Sequence, residues 1–201
     1  MPKVKPETMT ARRDEILEAA ESCFARQGFH QTTIQDIIRK SKLSAGCIYN
    51  HFPTKDDLIE AIGEKRHAND KALLSVKDPA GNPLRTLRAI GRTLLEDLHK
   101  KDGLRTRRVA VELWAEALRS ETIRAQVTRG IRGPISVVSE LLREGQRLGV
   151  VDKKIDAVSF ARMIVAMFQG FVLQRVWGEA YDAADALGAF DALLAGLAPR
   201  R

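Results

Sequence analysis

The chain has 201 residues, of which 44% are hydrophobic and 29% are charged, enough to bury the core of one or two ordinary globular domains. Its formal net charge of +7 favours a polyanionic partner, although many plain solvated surfaces have the same balance. The two cysteines, Cys23 and Cys47, lack the spacing of a metal site and are interpreted as reduced thiols of a cytosolic protein, with Cys23 in the core.

Residues 1–9 are expected to form a basic N-terminal arm. Lys3 and Lys5 stand between two prolines, and no apolar stretch like that of a secretory signal is present. One interpretation is an arm that contacts a DNA backbone or groove. The favoured interpretation is a disordered tail, since chain ends without apolar anchors are commonly mobile.

The first helix is expected over about residues 10–27. Ile16, Ala20 and Phe24 recur at i, i+4 and i+8, which places them on one face of a helix. Gly28 follows as a suitable residue for the position just past a helix end. The helix is therefore expected to end there.

Residues 32–52 predict two short helices joined by a tight turn. Thr32 with Gln35 three positions later has the form of a capping box, and the helix that follows turns three isoleucines to one side. Ser44 is a good N-cap for the second helix. Both helices therefore have a start signal.

The second of these helices has an inner and an outer side. Ile48 and Phe52, four positions apart, are expected to point inward. The residues expected to face outward are Ala45, Gly46, Tyr49 and Asn50. Small residues at the start of an exposed helical face allow another molecule to approach closely.

The charge around this helix indicates which molecule that is. Between Ile37 and Thr54 there is no acidic residue. The basic residues nearby are Arg39, Lys40, Lys42 and Lys55. A helix N-terminus has unpaired N–H groups and a partial positive charge, so the helix start at Ser44 suits a phosphate while the next residues reach base edges.

The segments T-T-I-Q-D-I and L-S-A-G-C-I-Y-N-H-F-P-T-K-D-D-L resemble the DNA-binding helix-turn-helix of the tetracycline-repressor (TetR) family. The resemblance runs from about Ile16 to Ile62 and combines many positions in order, so it is far more specific than a generic helix-turn-helix pattern. It implies a dimer of all-helical subunits that binds a palindromic operator and leaves it when a small molecule enters the C-terminal domain.

The candidate DNA contacts under this resemblance are Thr33, Ser44, Ala45, Gly46, Cys47, Tyr49, Asn50, His51 and Lys55. Tyr49 and Lys55 are the favoured phosphate contacts, with a solvated lysine as the alternative at position 55. Thr33 and Asn50 have capping or solvent exposure as alternatives. His51 has simple solvation as an equal alternative.

Three positions depart from the family pattern. Lys42 stands in the turn where glycine is usual, so a non-glycine residue is expected in a left-handed conformation. Cys47 replaces a Thr or Ser whose hydroxyl often meets DNA, and Ala45 replaces a frequent Lys. These departures affect base readout and leave the frame of the motif intact.

A domain boundary is expected after the next helix. Thr54 is expected to cap that helix, which continues toward Leu74. Two prolines, a glycine and an asparagine in residues 77–83 cannot continue a helix. The sequence therefore predicts a DNA-binding domain with a linking helix over 10–76 and a second domain over 83–199.

The second domain is expected to begin with three helices. They run over about 83–99, then from beyond the connection 100–103 to about Leu118, and over about 121–148. The third contains Pro134, and a proline inside a helix removes a hydrogen bond and costs about 3 kcal/mol. A kink or a restart is therefore expected at this proline.

The last two helices, over about 156–177 and 184–197, are expected to form a homodimer interface. The first is apolar almost all round and needs cover on every side, which a partner subunit can supply. The resemblance also implies a four-helix interface made by this pair. The most apolar run, Met163 to Leu173, is interrupted by Gln169 and Gly170 and is too short to span a bilayer, so no membrane association is expected.

The chain lacks sequence signatures of catalysis. Its histidines have no second ligand at i+3 or i+4, and no serine-hydrolase, Walker or dinucleotide-binding pattern occurs, so no catalytic residue, cofactor or metal is expected. For a small-molecule effector the second domain offers Trp114, Met163, Met167 and Phe171. Core packing is the alternative for each of these taken singly.

Together these patterns predict an all-α protein with an N-terminal three-helix helix-turn-helix DNA-binding domain and a C-terminal helical ligand-binding and dimerisation domain. The predicted function is a cytoplasmic transcriptional regulator, a repressor that binds a palindromic operator as a homodimer and is released by an effector. The alternative is a helical small-molecule-binding protein or enzyme without specific DNA binding. That alternative would lack a steep decrease of DNA affinity with salt.

Overall fold

The computed structural model describes residues 6–75, 78 and 80–199 of the chain, so residues 1–5 of the expected arm lie outside the described residues. Within the described ranges the regular secondary structure is helical, which confirms the all-α prediction. The helices are α1 (Pro6–Gln31), α2 (Ile34–Ser41), α3 (Ala45–His51), α4 (Lys55–Leu73), α5 (Pro83–Asp97), α6 (Lys101–Glu116), α7 (Glu121–Arg147), α8 (Ala157–Val176) and α9 (Ala183–Ala195).

The described chain divides into two compact units. The first contains residues 6–66 and Arg108–Gln126, and the second contains residues 67–107 and 127–199. The boundary expected at residues 77–83 therefore lies inside the second unit. Compact units follow contacts in space, and α4, α6 and α7 each contribute residues to both units.

The core of the first unit takes up the apolar faces of α1, α2, α3 and the start of α4. Phe24 and Phe29 are both buried, and their rings meet edge to face with centroids 4.8 Å apart. Ile37 and Ile48 bury the inner sides of α2 and α3. α1 is interrupted at Gly28, whose φ of 77° and ψ of 170° are not helical, which confirms the expected break at this glycine.

The capping box of α2 is one residue later than expected. Thr33 is the N-cap: its hydroxyl accepts the N–H of Asp36, and the Asp36 carboxylate accepts the N–H of Thr33. Thr32, expected to pair with Gln35, is instead buried and donates its hydroxyl to the Gly28 carbonyl at 2.7 Å. The prediction fails because the break at Gly28 leaves a partly buried carbonyl, which accepts this hydrogen bond from the buried Thr32.

Two expected helix starts also differ from the structure. Residues 6–9, expected in the arm, belong to α1, and Pro6 suits the first helical position because its missing N–H has no helical partner there. α6 begins at Lys101, within the expected connection. This early start brings Gly103 against the end of α5, where a Cβ would lie 1.9 Å from the Asp97 carbonyl oxygen.

α7 runs through Pro134 without a restart. Ile135 and Val138, just after the proline, are both buried. Burying each such side chain stabilises the fold by about 1.5–3 kcal/mol. The two contributions together offset the roughly 3 kcal/mol cost of an internal proline. The restart expected from the local rule is therefore not found.

The core of the second unit joins α5, α7, α8 and α9. Phe190 of α9 packs where Gly91 of α5 has no side chain, since a Cβ there would lie 2.5 Å from the ring. Arg88 donates two hydrogen bonds to the Asp191 carboxylate, at 2.7 and 2.8 Å, which fixes α9 along α5. Asp156 caps α8 by accepting the N–H of Ser159, in agreement with the expected helix start.

α8 has an apolar surface that its own unit covers incompletely. Its buried residues are Ala157, Ala161, Ile164 and Val172. Met163 is 47% exposed, and Trp177, the residue after the last helical one, is 74% exposed. Among the described residues, α8 is the helix long and apolar enough to cross a bilayer, with 20 residues. Its bounds agree with the helix expected over about 156–177.

Candidate nucleic-acid interface

The turn between α2 and α3 places them as a helix-turn-helix. Lys42 has φ 59° and ψ 19°, and its N–H donates to the Ile38 carbonyl at 2.9 Å. The expected left-handed lysine is confirmed. A residue with a side chain pays about 1–2 kcal/mol in this conformation. A lysine in the turn therefore adds a positive charge and also adds backbone strain.

α3 is held by its cap and by two apolar side chains. The Ser44 hydroxyl accepts the N–H of Cys47 at 3.2 Å, as expected of an N-cap. Ile48 and Phe52 are almost completely buried. A seven-residue helix is not stable alone in water, so these two anchors and the cap set its orientation.

The outer side of α3 is exposed. Ala45, Gly46 and Asn50 are exposed, and Tyr49 is 50% exposed. A Cβ added to Gly46 would meet no atom within 4 Å. The predicted inner and outer sides of α3 are therefore confirmed, while the role of these residues as DNA contacts stays a prediction.

Lys55 has an internal role that the sequence did not indicate. Its Nζ donates to the Phe29 carbonyl at 2.9 Å and to the Thr32 carbonyl at 3.3 Å. The alternative of a solvated cap lysine is therefore wrong, while a phosphate contact of Lys55 stays a prediction. An ammonium has three N–H donors, so Lys55 can bind one further acceptor such as a phosphate oxygen.

Two other candidates also have structural partners. The Thr33 hydroxyl donates to Asp36 Oδ2 at 2.8 Å, so its single proton is used by the cap of α2.

His51 is partly buried, and its ring centroid lies 6.4 Å from that of Phe52. It lines a shallow cleft of about 220 Å³, which Arg13 also lines while its guanidinium lies over the Phe52 ring. Cys47, on the same helix, is a partly buried free thiol.

The charge of this surface is positive. Lys40 and Lys42 are exposed, and Asp36, the acidic residue of α2, is paired with Arg39. Hydrogen bonds from the Thr33 backbone and hydroxyl, followed by one from Arg39, lower the pKa of Asp36 to about 2. Its negative charge is thus already neutralised by local partners, and the basic residues face solvent.

The candidate effector residues are not gathered in one unit. Trp114 is partly buried and belongs to the first unit. Met163, Met167 and Phe171 belong to the second, where the Phe171 ring lies 5.0 Å from that of Tyr181 and Met163 is about half exposed.

Two family models match the chain. Residues 16–62 match the model described as bacterial regulatory proteins, tetR family, and residues 83–199 match the C-terminal model of BetI-type transcriptional repressors. The HTH-type transcriptional regulator UidR of Escherichia coli (strain K12) is 26% identical over 158 residues, covering 79% of this chain and 78% of that protein.

Solved structures share the fold. Salmonella enterica GusR superposes with a TM-score of 0.77 at 23% identity, covering 96% of this chain and 97% of that one. A SmeT–triclosan complex superposes with a TM-score of 0.69 at 26% identity, covering 90% of this chain and 91% of that one.

Proposed function

The chain belongs to the tetR family and is a DNA-binding transcriptional regulator, and from this premise we propose that it is a repressor that binds a palindromic operator as a homodimer and leaves it on binding an effector. In this proposal residues 10–76 read DNA, and residues 83–199 bind the effector and dimerise. Its place of action is the bacterial cytoplasm, where the chromosome lies. The family is one of regulators, so the alternative of a carrier or enzyme is not favoured.

The observation that carries the proposal is the two-sided build of α3. Its inner side is anchored by Ile48 and Phe52, and its outer side has open space at Gly46. A major groove admits a helix, and small residues allow the helix backbone to approach base edges. We assign base and backbone contacts to this outer side and its ends, namely Thr33, Ser44, Ala45, Gly46, Cys47, Tyr49, Asn50, His51 and Lys55.

The dimer proposal rests on the incompletely covered surface of α8. An exposed apolar helix needs either a lipid or a protein partner. A single apolar helix is weak evidence for a membrane span, and the sequence relatives of this chain are transcriptional regulators. We therefore propose a second copy of the chain as the partner, with α8 and α9 of each copy in the interface. Two α3 helices then enter major grooves about 34–36 Å apart on one side of the duplex.

The proposed effector is a small molecule bound by the C-terminal domain. The SmeT structure is a complex with triclosan, and adaptable and aromatic side chains such as Met167 and Phe171 would suit an effector of this chain. Because coupling between two binding sites is reciprocal, operator DNA should weaken effector binding by the same factor as effector weakens operator binding.

The test is selection of genomic fragments by the purified full-length protein, followed by fluorescence anisotropy with the selected duplex and a scrambled duplex of equal length. The selected duplex should bind at least about 10³-fold more tightly. The logarithm of the binding constant should fall linearly with the logarithm of salt, by about 0.9 per phosphate contacted. Equal affinity for both duplexes would exclude a specific operator, and an absence of salt-dependent binding would favour the carrier or enzyme.

A further inference from the structure

The connection between α1 and α2 is held by a residue far away in the chain. Glu112 of α6 is partly buried, and its Oε2 accepts the N–H of Phe29, 83 positions earlier, at 3.3 Å. The same carboxylate occupies the space beside Gly28, where a Cβ would lie 3.1 Å from Oε2 and 3.3 Å from Oε1. Gly28 thus permits the left-handed turn and leaves room for the carboxylate. All these residues belong to the first unit.

A second charged side chain holds the other side of the same residue. The Phe29 carbonyl accepts a hydrogen bond from Lys55 Nζ at 2.9 Å, and Lys55 also reaches the Thr32 carbonyl. The Phe29 backbone is thus bound by a carboxylate at its N–H and by an ammonium at its carbonyl. Hydrogen bonds to charged groups are stronger than those between neutral groups, so this arrangement fixes the connection.

A neighbouring contact is weaker. Glu116, one turn further along α6, lies 3.3 Å from His30 Nε2, but the His30 side chain is 74% exposed. Ion pairs with one exposed partner are screened by water and contribute little. Of these two contacts, that of Glu112 is therefore the stronger attachment to the connection.

We propose that Glu112 is a positioning residue for operator binding, which acts by fixing the Gly28–Thr32 connection and through it the start of α2 and Lys55. Thr33, the N-cap of α2, follows the connection directly, so a displaced connection displaces the helix-turn-helix. Glu112 itself contacts no DNA in this scheme. The inference rests on the proposed contact of Lys55 and α3 with the operator.

Removal of the Glu112 carboxylate also has an electrostatic effect on operator affinity, and this effect is opposite in direction to that of losing the hydrogen bond to Phe29. Loss of one carboxylate makes the protein more positive, which by itself strengthens DNA binding. If Glu112 fixes the connection, its removal should instead weaken operator binding. The direction of the change therefore separates the two effects.

The experiment measures operator affinity for three variants of the full-length protein. Glu112→Gln keeps an acceptor oxygen at the same reach and loses the charge. Glu112→Asp keeps the charge and is one methylene too short, and Glu112→Ala loses both. Glu96→Ala, which removes an exposed glutamate of α5, is the charge-matched control.

Operator affinity should fall about tenfold in Glu112→Asp and Glu112→Ala, the scale of one hydrogen bond to a charged group. It should stay within about twofold of wild type in Glu96→Ala, the scale of a screened surface charge. In Glu112→Gln it should fall by an intermediate factor of about threefold, because a weaker, neutral hydrogen bond to the Phe29 N–H remains. Hydrogen exchange of the Phe29 amide should be faster in the first two variants while that of the Ile48 amide is unchanged. This measurement does not depend on DNA. A general loss of stability would speed exchange at both the Phe29 and the Ile48 amides, so a change at Phe29 alone reports on the connection.

The proposal is overturned if folded Glu112→Ala binds the operator as tightly as Glu96→Ala does, or if Glu112→Asp binds more tightly than Glu112→Gln. The second comparison decides the question even if Glu112→Ala does not fold. Failure of the wild-type protein to prefer any operator would instead remove the proposed function, which is a distinguishable result.

Discussion

Substitution of Gly46 by alanine should change stability and DNA binding in opposite directions. Gly46 lies in α3, and a methyl group there meets no atom within 4 Å, so the free protein accommodates it without strain. Replacing a helical glycine by alanine lowers the entropy of the unfolded chain and should stabilise the protein by about 0.5–1 kcal/mol. The methyl group would stand between the α3 backbone and the floor of the groove. Loss of close approach should cost about 1–3 kcal/mol of binding free energy, the value of one good base contact.

The two effects are measured separately. Urea unfolding gives the change in the free energy of unfolding, and anisotropy titration with the selected operator gives the change in affinity, expected to be about 5- to 150-fold weaker from the same contact energy. Affinity for a scrambled duplex, which depends on phosphate contacts, is the internal control and should change less. Unchanged or tighter operator binding in a stabilised variant would refute the placement of Gly46 against the bases.

Three further predictions follow from the same surface. Tyr49→Phe removes only a half-exposed hydroxyl, so it should weaken operator binding with unfolding unchanged; wild-type affinity would remove this hydroxyl from the contacts. Cys47 should react with a thiol reagent before Cys23, because Cys23 is 1% exposed and burial raises the pKa of its thiol. Bound operator should protect Cys47 from the reagent, and equal labelling rates of the two thiols would contradict the prediction. Since the folded pKa of Asp36 is about 2 against an ordinary 3.8, its stabilising effect is present above pH 3.8 and is lost as the pH falls through about 2. Urea unfolding of wild type and Asp36→Asn should therefore converge over that range, and a constant difference from pH 5 to pH 2 would argue against the capping role of Asp36.

Local patterns predicted the parts of the fold that local forces decide. Ser44 caps α3, Ile48 and Phe52 form its inner side, and Gly28 interrupts α1. Each of these depends on residues within one or two helical turns, where spacing and capping chemistry are sufficient. The left-handed Lys42 was also foreseeable, because the turn geometry of the motif requires it.

The errors arose where distant contacts decide between local alternatives. The segment T-T-I-Q-D allows two capping boxes, and the choice of Thr33 over Thr32 depends on the Gly28 carbonyl, whose need for a donor only the fold reveals. A kink or a restart was expected at Pro134, and no restart is found because burial of the next apolar residues offsets the cost of the proline. The contacts of Phe29 with Glu112 and Lys55 join residues 83 and 26 positions apart, and no spacing rule indicates them.

The two-sided build of α3 has a consequence for how such a protein can diverge. The side chains that hold the helix in place, Ile48 and Phe52, are different from those that face outward. Substitutions at Ala45, Tyr49 or Asn50 therefore leave folding almost untouched, whereas changes at the anchors do not. A duplicated copy of this chain can acquire a new operator preference in a few steps, with its scaffold inherited unaltered.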